Sequence, residues 1–462
     1  MKQMNQLMRM LLIGLVLVLI GSQVNADSEH VVMPSEAHDT GLKDEEDWQN
    51  ISDAISIYSY VRLAPGDFYL PRSIVLWNPN LDLKGSGPSK TTVRTAPGIA
   101  FEVAQIGTGG WMSRHLFVFP YDDEVEGGYA GYLSLSDMTI VVDEPAVPYD
   151  RLGYAGLTTI PGVFYFNANV DYGGFYGLHP EVQFDAHFSD LHFQGVRGDQ
   201  FIGSDVGQEW YQPNSIPAAI VVWGPAAGNI TVERVSTQYA SKALSLYMGR
   251  NDSSVVIGGR KHDGCDFWGT ASANGAVYLE TIGNVMVSHN SMDSGIWAWN
   301  ISGSISENTV IDGYSRLGGL VMLWAHDTRI MNNTISDLTF ADGWRAGISL
   351  YQSDNNIVAG NILHDLAAGT GGIGVALWTG SSNNLIVEND LIDIAGDGIV
   401  VKESENWIVE NELEDIGGNG IYLLPTSTNN LIEDNKLKDI FGEPILDQGI
   451  GNTLSGNKIK DD

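Results

Sequence analysis

The sequence predicts an all-β protein, a solenoid of short parallel strands, on three observations. A short apolar run returns about once every two dozen residues from the middle of the chain to its end. The second half of each unit carries a separate asparagine signature. The segments between runs are mostly turns, too short for the helical crossovers of a dozen or more residues that α/β units require.

A typical run is Ile296-Trp297-Ala298-Trp299. The runs end at Trp223, Tyr247, Glu280, Trp299, Trp324, Tyr351, Trp378, Lys402 and Leu424, in steps of 24, 33, 19, 25, 27, 27, 24 and 22 residues. Such regular but unequal spacing is what stacked rungs give when they share strands and differ in loops. Alternation puts Ile399 and Val401 inside and Val400 and Lys402 outside. The leucine spacing of leucine-rich repeats is missing, and a propeller blade needs about forty residues.

The asparagine signature occupies 356–365, 384–393, 406–415, 430–439 and 452–461. Each reads Asn, four residues, Asn, three residues, Asp. The second asparagines, Asn361, Asn389, Asn411, Asn435 and Asn457, with weaker copies at Asn290, Asn308 and Asn333, should stack into a ladder that satisfies buried amides. Asparagine tolerates the left-handed turn such corners need. Gly295, Gly347, Gly374, Gly398 and Gly420 precede strands, where they would supply a tight corner.

Residues 1–26 read as a signal peptide: Lys2 and Arg9, then an apolar core from Leu11 to Ile20, then Val24-Asn25-Ala26 as a cleavage site. An uncleaved anchor is the alternative. The expectation is a secreted or extracytoplasmic protein with no membrane span in the mature chain. Residues 27–60 form an N-terminal extension with an amphipathic capping helix over 47–55, and 61–462 form the coil. Cys265 is the single cysteine, which rules out an intrachain disulfide. The net charge of −33 repels nucleic acid and anionic membranes and disfavours a polyanionic ligand unless local arginines or cations reverse the sign. Adaptation to a saline medium is the blander account of the charge.

The rungs, the Asn signature and the entrance segments 63–70 and 81–87 resemble the pectin-lyase-like superfamily, closest to its Asn-rich repeat group, over roughly 46–461. The resemblance implies a right-handed parallel β-helix. That group includes the periplasmic copper-maturation β-helix protein and many carbohydrate-active domains. Nothing matches the paired aspartates of the pectin-hydrolysing relatives or the Lys/Arg motif of the pectate lyases, so no catalytic residue is carried over. Residues 95–215, rich in aromatics and glycine, fit the repeat poorly. They read as rungs bearing long loops over one face, or as an inserted domain.

Trp223, Tyr247, Trp299, Trp324, Tyr351 and Trp378 share one outward parity, and such a file suits the flat faces of sugar rings. Packing under loops or a partner subunit, or an inward turn, are the other readings. Ionisable groups crowd the same rungs: Asp312, Arg316, His326, Asp327, Asp342 and Arg345, with Arg329 beside them. The aspartates could serve as the carboxylate pair of a glycoside hydrolase. For elimination from a uronate polymer, an arginine would neutralise the carboxylate while His326 abstracts the proton. Asp327 and Arg345, 18 residues apart, are expected to reach one sugar. Lys242, Arg250 and the group Arg260, Lys261, His262, Asp263, Cys265, Asp266 and Trp268 form a second candidate cluster. No cofactor is required. The aspartates that close the repeats, at 337, 365, 393, 415, 439 and 461, cap turns or would suit Ca²⁺ with oxygen ligands. The function expected is binding and cleavage of a polysaccharide, by hydrolysis or elimination. The alternative is a non-catalytic, adhesive glycan-binding protein. The sequence leaves oligomeric state open.

Overall fold

The computed structural model describes residues 29–35, 42–76, 80–95, 104–106, 111–113, 116–119, 130–141, 147–148, 158–159, 164–167, 183–194, 218–223, 228–238, 242–268, 275–311, 314–315, 318–340, 345–368 and 372–460. The expected leader over 1–26 lies outside them. Each rung contributes three strands, and like strands stack in parallel into three long sheets. In the rung at residue 400 these are Ile399–Val401, Trp407–Val409 and Glu412–Ile416. The first pairs with Ile373–Leu377 on one side and Ile421–Leu423 on the other, and the other two behave alike. The first sheet runs from Ile74–Val75 to Ile445–Asp447, the second from His30–Val32 to Thr453–Ser455, and the third from Gly66–Leu70 to Lys458–Lys460. The fold is a right-handed parallel β-helix.

From 95–215, the described strands Phe117–Phe119, Ala130–Val141, Phe164–Asn167 and Gln183–Gln194 join the same sheets in parallel. Two small antiparallel pairs lie outside the sheets, Ala104–Ile106 with Trp111–Ser113 and Val147–Pro148 with Thr158–Thr159. The helix expected over 47–55 spans Leu42–Ile57 and buries Ile51, Ala54 and Ile55 against the entrance of the coil. Its buried Asp47 accepts the backbone N–H of Ser35 and of Tyr69, which ties the helix to the first rungs. Among the described residues no helix is long and apolar enough to cross a membrane.

The inward positions make one continuous core, with Ile399, Val401, Ile408, Leu413 and Ile416 contributing from a single rung. The corners hold because two asparagine ladders, not one, line them. Asn361 donates its backbone N–H (3.0 Å) and Nδ2 (2.9 Å) to Asn389 Oδ1, and Nδ2 also reaches the Ile330 carbonyl (2.9 Å). The same pattern runs from Asn290 through Asn308, Asn333, Asn389, Asn411 and Asn435 to Asn457. The first asparagine of the signature forms the second ladder, Asn356 to Asn384, Asn406, Asn430 and Asn452. Each bond satisfies a group that water cannot reach, so its loss costs far more than its net gain.

Two local expectations change. The ladder asparagines are not themselves left-handed. The residue before each takes that conformation, as at Glu388 (φ 53°), Glu410 (55°) and Asp434 (53°). The ladder residue is thereby free to aim its amide inward. The glycines before the strands likewise avoid positive φ and are needed for space. A Cβ on Gly398 would stand 2.5 Å from Leu413 Cδ2 and 2.6 Å from the Gly420 carbonyl, and Gly374 and Gly420 meet Leu391 and Leu437 in the same way. The glycine file lets the first sheet close onto the leucines of the third.

Candidate functional site: the outer face of the first sheet

Two outward positions per rung, two residues apart, face away from the core on the first sheet. Strand pairing aligns Ser245, Tyr278, Trp297, Val321, Ser349, Ala376 and Val400 in one file, and Trp223, Tyr247, Glu280, Trp299, Leu323 and Tyr351 in the other. Neighbouring strands stand about 4.8 Å apart, so rings in one file pack face to face or face to edge. Tyr278 and Trp297 meet edge-on at 5.5 Å, Trp299 and Trp324 stack at 4.7 Å, and Tyr351 and Trp378 stack at 6.0 Å. Two apolar clusters separate from the inner core lie on this face, one of Tyr247, Tyr278, Trp297 and Val321, the other of Ala346, Ile373, Ala376, Trp378 and Val400.

Outward parity therefore holds for Tyr247, Trp299 and Tyr351, but an open platform along the whole file does not. Tyr247 is 9% exposed and Trp378 7%, whereas Trp299 and Tyr351 are half-buried and Trp324 is 37% exposed. The side chain of Trp223 lies outside the described residues. Trp324 also sits one residue past the file, because Leu323 pairs with Trp299 and Tyr351. Its left-handed backbone (φ 50°) turns the chain out of the strand and swings its ring over Trp299. The neighbouring outward file, with Tyr278 and Trp297, escaped the reading of the runs by their last residue. The i−2 parity of each run contains it.

Glu280 is the one carboxyl in this setting among the described residues. It occupies the aromatic file between Tyr247 and Trp299. Burial pushes its pKa up, and the Tyr278 hydroxyl, which donates to Oε2, opposes that shift. A carboxyl among aromatic rings loses hydration that one phenol replaces only in part.

The described members of the expected ionisable set are not gathered here. Asp312, Arg316 and Asp342 lie outside the described residues. His326 pairs through Nδ1 with Asp354 on the next rung. Asp327 occupies an exposed left-handed corner (φ 53°) after the strand Gly318–Leu323. Arg345 precedes Ala346–Tyr351, at the opposite end of the first strand, and its carbonyl accepts the Ile373 N–H. Six residues of extended chain separate those ends, about 20 Å. Asp327 and Arg345 therefore do not share one sugar.

In the second candidate cluster, Cys265 and Asp263 have structural partners. Cys265 is buried, its thiol pushed up to about 12, and its sulfur donates to the Val232 carbonyl, so it is no nucleophile. Asp263 holds Arg234 (2.6 Å), which Asp190 also grips through both carboxylate oxygens. The repeat-closing aspartates Asp337, Asp365, Asp393 and Asp415 occupy left-handed corners along a groove of about 630 Å³. Among the described residues no three His, Cys, Asp or Glu converge as a metal group.

Residues 259–462 match the family of the periplasmic copper-binding protein NosD. No curated protein matches the chain. Among solved structures, the catalytic unit of an α-1,3-glucanase from Streptomyces thermodiastaticus is similar at 12% identity, over 88% of this chain and 65% of that one, with a TM-score of 0.45. The surface adhesin PfbA of Streptococcus pneumoniae matches at 14% identity, over 89% and 88%, with a TM-score of 0.43. The A-module of the mannuronan C-5 epimerase AlgE6 of Azotobacter vinelandii matches at 11%, over 90% and 95%, with a TM-score of 0.39.

Proposed function

We propose that this β-helix acts outside the cytoplasm and binds an uncharged polysaccharide along the outer face of its first sheet, as a polysaccharide-cleaving enzyme. The observation that carries the reading is the exposed Trp324 stacked on half-buried Trp299, with Tyr351 beside them on the next rung. The exposed indole of Trp324 offers a sugar an apolar plane with a polar edge. The buried members, Tyr247, Trp297 and Trp378, hold that surface rigid. The charge of −33 opposes a polyuronate, and disfavours elimination relative to hydrolysis. Extracytoplasmic placement is supported by the match to a periplasmic family and by the apolar leader.

Retention of the protein in gels cast with dextran, starch or mannan, against alginate and polygalacturonate, tests the binding. The uncharged polymers should retard it, and Trp324→Ala should weaken retention about tenfold, the equivalent of about 1.4 kcal/mol of stacking. No retardation by any uncharged polymer, or an unaltered W324A, sinks the reading. Binding without release of reducing ends would make the protein a non-catalytic, adhesive glycan binder. The copper-binding description of the matched family gives a second reading, for which equilibrium dialysis against Cu²⁺ is the direct measurement.

A further inference from the structure

We propose that Glu280 is the proton donor of the aromatic face and cleaves a glycosidic bond of the polymer seated on Trp299 and Trp324. The inference rests on the binding reading above and assigns its chemistry to one residue. Four observations meet at this carboxyl. It is the single acidic residue among the described outward positions from Tyr247 to Tyr351. It lies one strand spacing from Trp299, so a sugar stacked on that indole brings its ring edge within reach. Tyr278 holds Oε2 and is its hydrogen-bond partner among the described residues, which leaves Oε1 to face a ligand. Tyr278 is in turn fixed edge-on against Trp297.

The environment suits an acid rather than an ion pair. No described lysine or arginine bonds Glu280, and burial among rings favours the neutral carboxyl, the state a general acid must hold before it acts. Oε1 gives its proton to the glycosidic oxygen as the bond from that oxygen to the anomeric carbon breaks, the bonding pair staying on the oxygen. Water then adds to the anomeric carbon and its proton passes to the Glu280 carboxylate, restoring the acid. One glycosidic bond and one water are consumed, and two hydroxyl groups appear. Tyr278 is a positioning residue: it orients the carboxyl, and by donating to it keeps the pKa from rising further.

The test uses the full chain with the uncharged polymer it retains, measuring affinity and reducing-end release in parallel across pH. Glu280→Gln should keep affinity within about threefold and lose release by about 10²–10⁴-fold, the range of a positioned general acid. Wild-type release should fall as pH rises through the Glu280 pKa. Tyr278→Phe should move that fall to higher pH, because the tyrosine bond stabilises the ionised form. Wild-type rates in E280Q overturn the assignment, as does a wild-type protein that binds the polymer and releases no ends; both leave the binding reading standing. Failure to bind any uncharged polymer removes the binding reading and this inference together. If E280Q also loses affinity, Glu280 is a binding residue and the assignment falls.

Discussion

Two stretches of the β-helix have nearly the same interior and different exteriors. In the terse rungs after Ile399, the first strand turns Ile399, Val401, Ile421 and Leu423 inward, and the central rungs do the same with Ile296, Ala298, Ile348 and Leu350. Both regions share the left-handed corners and the asparagine ladders. Outside, the terse rungs carry Val400, Lys402, Tyr422 and Leu424, while the central rungs carry Tyr278, Glu280, Trp297, Trp299, Tyr351 and Trp378. The inward half of each strand makes a rung stack; the outward half is free to specialise. The proposed chemistry therefore belongs to the central exterior, whereas stability rests on the interior that both regions share.

The largest effect expected from that division lies in the ladder. Asn389→Ala strands the N–H of Asn361, takes one of the two partners of its Nδ2 and removes a donor from the carbonyl of Val358, all buried, and should cost about 4 kcal/mol, since each orphaned group costs about 1–3 kcal/mol. Asn452→Ala, at a half-buried position where water can substitute, should cost about 1 kcal/mol. Equal losses in urea unfolding would mean that the ladder does not act through desolvation.

The aromatic exterior itself divides. Trp378→Ala empties a buried site and should cost about 3 kcal/mol. Trp324→Ala should cost under about 1 kcal/mol and act on polymer affinity. A thermal midpoint equally lowered in both variants would make Trp324 packing rather than platform.

The smallest effect concerns the acidic corners. The Arg234 guanidinium bonded to Asp190 holds that carboxyl below its usual range. A depressed carboxyl contributes stability at pH values above its unfolded pKa, and the contribution disappears as pH falls through the folded value. Asp190→Asn should thus cost under about 1 kcal/mol at pH 7, the pair being partly exposed, and nothing once pH is well below about 4. A difference that persists in acid would trace the effect to shape rather than charge.

The fold was legible because a β-helix repeats its local rules. Period-two alternation, Asn at fixed spacing and short connections recur in the rungs from Asn290 onward, and each can be read from neighbours in the chain. The helix at Leu42–Ile57 was legible for the same reason, from its own amphipathic pattern. The candidate surface was legible only as a direction. Parity alone assigned Trp299, Tyr351 and Trp378 to the outside, yet exposure depends on what packs over each ring, which lies far away in sequence. Register depends on hydrogen bonds to other rungs, so Trp324 slipped one place when its corner turned left-handed.

Asp327 and Arg345 show the same limit. Their separation in sequence is less than a rung, but an extended strand converts it into about 20 Å and opposite ends of the sheet. Glu280 shows the converse. As a letter it interrupted the aromatic file, and only burial among the neighbouring rings, against the opposing bond from the Tyr278 hydroxyl, turns it into a carboxyl whose neutral form is favoured. By itself the sequence determined the coil, its interior and its corners, because those follow from contacts repeated at short range. The tertiary structure alone decided which outward residues meet, since that is set by rung stacking and by burial, neither of which a single stretch of chain contains.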